Sequence, residues 1–183
     1  MPINGLQSWQ ILAGGATVSI APYVTAAGTF TGTSFGHTLT PTELGFAFED
    51  FDVETEQSIG RVKSIPVTAN YTLKVQLAQN DAQAMLITTR QASGYLTETG
   101  TATANLAFND PTEIYYQLKL VGKGYGTTTV DTYRFWRCQV SSVEPIVFGK
   151  KAVQALGITF KITRDDTVAT FTTSGYYGFR AVA

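Results

Sequence analysis

Apolar and polar residues alternate through residues 65–77. Ile65, Val67, Ala69, Tyr71, Leu73, Val75 and Leu77 take the odd positions, and Pro66, Thr68, Asn70, Thr72, Lys74 and Gln76 the even ones. A period of two gives one apolar face and one wet face, so the pattern predicts a long, half-buried strand. Directly after it Asn80 stands at an N-cap position, with Gln83 three residues on to close a capping box. Ala82, Met85, Leu86 and Thr89 then fall at i, i+3, i+4 and i+7, which predicts a short helix with one buried stripe and Gly94 as its stop.

The same alternation marks other strands. Leu44, Phe46 and Phe48 share one parity while Phe51 and Val53 take the other, so a β-bulge near Glu49 and Asp50 is expected. Ile114, Tyr116, Leu118 and Leu120 predict a strand, and a turn-rich connection over 122–131 joins it to a second one over 133–143. Trp136, Cys138 and Val140 share one face of that second strand. Ile158, Phe160 and Ile162 mark a further strand. Residues 16–24 alternate weakly and contain Pro22, which predicts an edge strand or a break. The Gly/Thr/Ser-rich stretch 25–42 reads as loop with one short extended piece, and 93–109 as loop throughout. Two termini flank this pattern. An arm over 1–15 carries Trp9, Ile11 and Leu12, and a tail over 167–183 carries Tyr176, Tyr177 and Phe179 as a final strand or an adhesive end. No internal repeat appears. Many strands and one helix predict a mainly β chain: a single domain, 1–183, folded as a β-sandwich or partial barrel with one short flanking α-helix.

Composition narrows the function classes. Of 183 residues 15% are charged, and the net charge of −1 gives no general basic footprint for nucleic acid. Cys138 is the only cysteine, which rules out an intramolecular disulfide or a cysteine metal cluster and fits assembly in a reducing compartment. The first residues lack a signal-peptide pattern, and no stretch approaches the roughly 20 apolar residues of a membrane span. His37, the single histidine, sits in the Gly/Thr-rich loop, where a solvated or packing role outweighs catalysis. Cys138 on an apolar strand face reads as a buried inert thiol, and the Gly122–Gly126 cluster lacks the spacing of a phosphate loop. Neither catalytic, metal nor cofactor residues are assigned, and an enzyme is not expected.

Acidity is concentrated instead. Six of the 14 acidic residues (Glu43, Glu49, Asp50, Asp52, Glu54, Glu56) fall within 43–56, and Asp50, Asp52, Glu54 and Glu56 recur at spacing two. Carboxylates fanned along a strand do not converge on one cation, so the alternatives are a solvated strand face or a surface that is anionic along its length.

In order, the chain shows Ser34-Phe35-Gly36-His37-Thr38-Leu39, the acidic strand 46–56, Gln57-Ser58-Ile59-Gly60-Arg61-Val62-Lys63, the long strand, the short helix, the hairpin, and a strand ending in Arg164-Asp165-Asp166. Over 35–166 this resembles the tail tube (major tail) proteins of long-tailed bacteriophages. The resemblance rests on pattern and order. It implies a virion protein, assembled in the host cytoplasm, whose inner sheets join in hexameric rings. The rings stack as a tube through loops and terminal arms, here Trp9, Ile11, Leu12, Tyr176, Tyr177 and Phe179. Other tail proteins would meet the tube ends, and tape-measure protein and double-stranded DNA would pass through the lumen without specific binding. Asp50, Asp52, Glu54 and Glu56 would then face the DNA, about 24 carboxylates per sixfold ring, repelling it toward the axis. Lys74, beside them, would offset part of that charge or pair with one carboxylate. Two rival readings stand beside this one. The first is a carbohydrate- or cell-binding β-sandwich with Tyr95, Tyr125, Trp136, Tyr176 and Tyr177 as stacking faces and calcium on the acidic row. The second is another phage component of related fold, such as a distal-tail, baseplate-hub or contractile-tail tube protein.

Overall fold

The structure, a computed structural model, describes residues 17–24, 30–35, 38, 42–54, 61–77, 82–99, 103–123, 130–146, 155–167 and 176–182. The arm 1–15, the cap at Asn80, His37 and Glu56 lie outside the described residues. In chain order the elements are β1 (Thr17–Pro22), β2 (Thr33–Ser34), β3 (Glu43–Glu54), β4 (Arg61–Leu77), α1 (Ala82–Thr88), β5 (Leu96–Thr99), β6 (Thr103–Leu106), β7 (Tyr116–Lys123), β8 (Val130–Val143), β9 (Leu156–Thr163) and β10 (Gly178–Val182). Eight strands form one antiparallel sheet in the order β2-β1-β7-β8-β9-β4-β3, with β10 added to β8, and β5 pairs β6 as a separate ribbon. The sheet is not closed. The fold is therefore mainly β with a single short helix, as the alternation predicts.

Because apolar positions recur every second residue, each strand offers one side to a common core. Val18 and Ile20 of β1, Leu118 and Leu120 of β7, Cys138 and Val140 of β8, Leu156, Ile158, Phe160 and Ile162 of β9, and Leu73, Val75 and Leu77 of β4 are all buried in one cluster. The sheet must curl to bring them together. Phe35 follows β2 and Phe160 sits on β9, four strand steps away. A flat sheet would separate them by roughly 19 Å at about 4.8 Å per strand, yet their ring centroids are 6.1 Å apart. An isolated bridge between Thr38 and Leu77 closes the hollow further. The concave face thus holds the core, and the convex face keeps the alternate, more polar positions.

Five local readings change. The buried side of α1 is Ala84, Leu86, Ile87 and Thr88, whereas Met85 and Thr89 are only partly covered. A seven-residue helix takes its orientation from docking rather than from its own periodicity. Its stop is Arg90, not Gly94. Arg90 adopts φ +56°, its N–H donates to the Ile87 carbonyl, and the Gln91 N–H donates to the Leu86 carbonyl, the paired bonds of a Schellman end. Gly94 lies beyond, in a 3₁₀ turn over Ser93–Tyr95. The stretch expected to be loop contains β5 and β6, paired from Leu96↔Leu106 to Thr99↔Thr103. Gln91, 2% exposed, holds it to the helix end by donating to the Thr89 and Asn109 carbonyls and accepting from the Asn109 N–H.

The remaining changes come from bulges. The β3–β4 register slips between Glu49↔Thr68 and Asp50↔Pro66, so the extra residue is Val67 on β4, not one on β3. On β8, Cys138 opposes Tyr116 while Phe135 opposes Leu118, which leaves three steps of β8 against two of β7. That slip sends Phe135 and Cys138 into the core together and puts Trp136 on the other face, against Phe179. Trp136 and Cys138 therefore do not share a face, since an inserted residue reverses the alternation beyond it.

Burial sets the chemistry of two core groups. It pushes the Cys138 thiol well above its usual range, and lifts the Tyr116 phenol from 10.0 to about 12, the latter offset in part by the Arg90 charge. A phenol that holds its proton more tightly when folded leaves stability intact below pH 10. It withdraws stability as the pH rises from 10 toward 12, by at most roughly 3 kcal/mol. In urea titrations across that range, Tyr116→Phe is expected to lose stability less steeply than the parent chain; equal slopes would show that the phenol does not carry the effect.

Candidate functional site

Strand β4 has 17 residues, and β9 pairs with only the seven from Tyr71 to Leu77. The remainder, 61–70, pairs only with β3, and among the described residues β3 pairs only with β4. The two strands therefore leave the sheet as a ribbon whose margins pair with no other strand among the described residues. In water such margins are a template for another strand.

The side chains on this ribbon are not those of a solvated hairpin. Phe46, Phe48, Phe51, Ile65 and Val67 are 57%, 64%, 62%, 42% and 65% exposed. The first two share a side with Leu44, which packs on the core, and stack edge-on around Tyr71 with centroids at 5.4 and 6.2 Å. Tyr71 in turn meets Tyr177 at 4.5 Å. Because the inserted residue is on β4, β3 keeps its alternation past Glu49. Asp50 therefore continues the side of Phe46 and Phe48, while Phe51 takes the opposite side and pairs with Ile65. Both sides of the ribbon carry apolar groups. Full burial of one such side chain contributes about 1.5–3 kcal/mol, so covering five that are roughly half exposed stabilises an association by on the order of 5–10 kcal/mol before its entropic cost.

Of the acidic row, Asp50 is exposed on β3. Asp52 and Glu54 occupy β3 positions paired with Ser64 and Arg61. Lys74 does not join them. Its Nζ lies 2.8 Å from Oε1 of Glu144, whose hydrogen bond and charge raise the Lys74 pKa. The register explains this, since Lys74 sits opposite Glu43 at the sheet end of the ribbon, far along the strand from Asp50.

The tail supplies the wall beside the ribbon. Tyr176 and Tyr177 turn the chain into β10, with the Asp165 N–H donating to the Tyr176 carbonyl and the Trp136 N–H to the Tyr177 carbonyl. Gly178 has φ +153°, and a Cβ there would lie 2.1 Å from the Arg134 carbonyl oxygen, so only glycine admits this close approach. At its other end β10 is latched by charge. Arg180 Nε donates to Oδ1 and Oδ2 of Asp131 at 3.0 Å each, and Nη2 donates to Oδ2 at 2.6 Å. Asp131 is 3% exposed, and its hydrogen bond is the main cause that raises the Arg180 pKa. Tyr177 and Phe179 are thus placed against the chain's own sheet, Phe179 on Trp136. β10 lies in line with β9 along one margin of β8, because Gly178 opposes Phe135 where Thr163 opposes Arg137. Between β10 and the departing ribbon a groove of about 360 Å³ opens, lined by Leu44, Phe46, Tyr71, Tyr133, Tyr177 and Phe179 among others.

The convex face differs in character. Arg134 stacks over Trp136 at 4.6 Å and Phe30 at 5.6 Å, and Arg137 over Tyr115 at 3.9 Å and Tyr23 at 5.9 Å. Lys119 is paired in register with Arg134, and Lys161 is exposed two residues from Thr163, the partner of Arg137. Stacking on aromatic rings fixes both guanidinium groups in a partly buried setting, and Arg134 Nη2 also donates to Oε1 of the buried Gln117 at 3.3 Å. Among the described residues no three His, Cys, Asp or Glu side chains gather to hold a metal ion.

No family model and no curated protein matches the sequence. Among solved structures, a chain in a cryo-EM structure of the anti-feeding prophage baseplate, 6-fold symmetrised, superposes over 94% of this chain and 95% of that one. The TM-score is 0.49, with 7% sequence identity.

The β10 latch makes a separable prediction. Arg180→Ala leaves the Asp131 carboxylate buried without its cation and, allowing for the exposure of Arg180, is expected to cost about 1–3 kcal/mol. Gly178→Ala forces the clash described above. Hydrogen exchange should open residues 176–182 first in both variants, and protection there equal to the parent chain would remove the assignment.

Proposed function

We propose that this chain is a structural subunit of a long-tailed phage tail, assembling with copies of itself into rings that stack as the tail tube through which DNA passes. The observation that carries the reading is the β3–β4 ribbon, apolar on both sides and, among the described residues, paired with no further strand along either margin. An isolated copy leaves that surface wet, at a cost that closure with further copies removes. Head-to-tail contacts whose rotation closes give rings, and those that translate give filaments, so one subunit with margins of this kind serves both. The order of sequence features over 35–166 supports the tail tube among phage assemblies. Hexameric rings, contact with tail proteins at the tube ends, and passage of tape-measure protein and duplex DNA belong to the same proposal, as does a place in the virion after assembly in the host cytoplasm. No reaction is assigned to the chain.

Electron microscopy of the purified protein over a rising concentration series tests this. Rings or tubes are expected, and a monomer that persists at the highest concentration overturns the proposal. Phe48→Ser with Phe51→Ser should abolish the particles and shift the subunit's own Tm by no more than a few degrees, because both side chains are exposed in the single copy.

A further inference from the structure

We propose that the hollow between α1 and the β1–β7 margin receives the N-terminal arm, residues 1–15, of an adjacent copy. This rests on the self-assembly just proposed and names one contact through which rings stack.

The hollow forms where the helix meets the sheet. Ile20 and Pro22 of β1 and Tyr116 of β7 line it on one side, and Leu86 and Ile87 of α1 on the other, with Ala92 beyond the helix end. Its volume of about 490 Å³ falls within the roughly 300–1,000 Å³ typical of pockets that take a bound group. Leu86 is buried, yet it stands outside the core cluster that holds Ala84 and Ile87, and it lines the hollow instead. Among the described residues no charged side chain lines the hollow. A charge brought into such a place would lose its hydration without gaining a partner, so the occupant must be uncharged.

The chain itself supplies one. The arm holds Ile3, Leu6, Trp9, Ile11 and Leu12 among small and amide residues, and the first Asp, Glu, Lys or Arg of the whole chain is Glu43. Large apolar side chains with no charge between them favour cover over water. The arm's polar side chains, Asn4, Gln7, Ser8 and Gln10, are as neutral as Thr33, Gln83 and Ser93, the exposed polar groups of the lining.

Attachment decides which copy provides the arm. β1 runs from Thr17 to Pro22, the hollow lies at the Pro22 end, and the arm joins at the Thr17 end, roughly 17 Å away at about 3.4 Å per residue. To fill its own hollow the arm would have to reverse and recross the length of β1. A segment leaving one end of a strand and a receiver at the other end make a head-to-tail contact that repeats by translation, as a stack requires.

The test uses the full chain, read by electron microscopy, sedimentation velocity and Trp9 emission, the last taken as the difference between the parent and Trp9→Phe. Trp9 emission should move to shorter wavelength as stacks form. Trp9→Ser with Leu12→Ser removes the arm's anchors. Ala92→Phe fills the hollow at a backbone of φ −68° and ψ 149°, which any residue adopts. Each variant should keep rings and weaken stacking at least tenfold. Mixed together, rings of the two variants should join in pairs and grow no further, since each supplies only what the other lacks. If a variant fails to fold, Trp9 emission in the parent chain decides. Stacks that persist in either variant, rings lost along with stacks, a mixture that stays as single rings, or parental Trp9 emission unchanged by stacking would each overturn the docking assignment. Trp9 emission already at shorter wavelength in dilute single subunits, and reversed there by Ala92→Phe, would give the hollow to the copy's own arm and overturn it too. All of these leave the ring proposal standing; a parent chain that forms no rings defeats that proposal first and this contact with it.

Discussion

Backbone hydrogen bonding is the constraint from which the rest of the structure follows. A strand must pair along its length or leave donors and acceptors to something else, and β4 is more than twice as long as the stretch that β9 covers. The paired part anchors the core through Leu73, Val75 and Leu77, all fully buried. The part beyond the reach of β9 takes β3 with it out of the sheet. One strand thus belongs to the interior at one end and lies open at the other, its apolar residues running from buried Leu73, Val75 and Leu77 to exposed Ile65 and Val67.

The site depends on two further devices that place β10. The slip in β8 turns Trp136 outward to receive Phe179, and Gly178 lets the two backbones approach where any side chain would collide. The Asp131–Arg180 pair then closes the far end. Without β10 the groove beside the ribbon would have one wall. With it, Tyr177 props Tyr71, and Tyr71 carries Phe46 and Phe48 in fixed orientation. A surface built on stacked rings is ordered in the single copy, and a surface ordered in advance loses less entropy in any contact it makes.

How much of this could be read from the chain alone varies with the kind of signal. Period-two alternation located β4, β7, β8 and β9 because one side of each is buried and the pattern has no other cause. It also located a slip near Asp50, but alternation within β3 could not show that the extra residue, Val67, belongs to the partner strand. For the same reason Trp136 was grouped with Cys138, since a bulge leaves no mark in composition. β5 and β6 escape the pattern because their short, Thr-rich sequences carry few apolar positions, and the Gln91 bonds to Asn109 just beyond β6 leave no mark in the periodicity. Arg90 in a left-handed conformation replaced the glycine stop because tertiary contacts outweighed local preference. The acidic row was visible at once. Its company was not: that Asp50 shares a side with Phe46 and Phe48 needs the register.

The mismatch in length between β4 and β9 also divides the molecule energetically. Residues 61–70 gain no second neighbouring strand among the described residues, so that end of β4 lacks the cover that protects Leu73, Val75 and Leu77, and its hydrogen bonds to β3 open at lower cost than those of the core. One continuous strand spans two regimes of local stability.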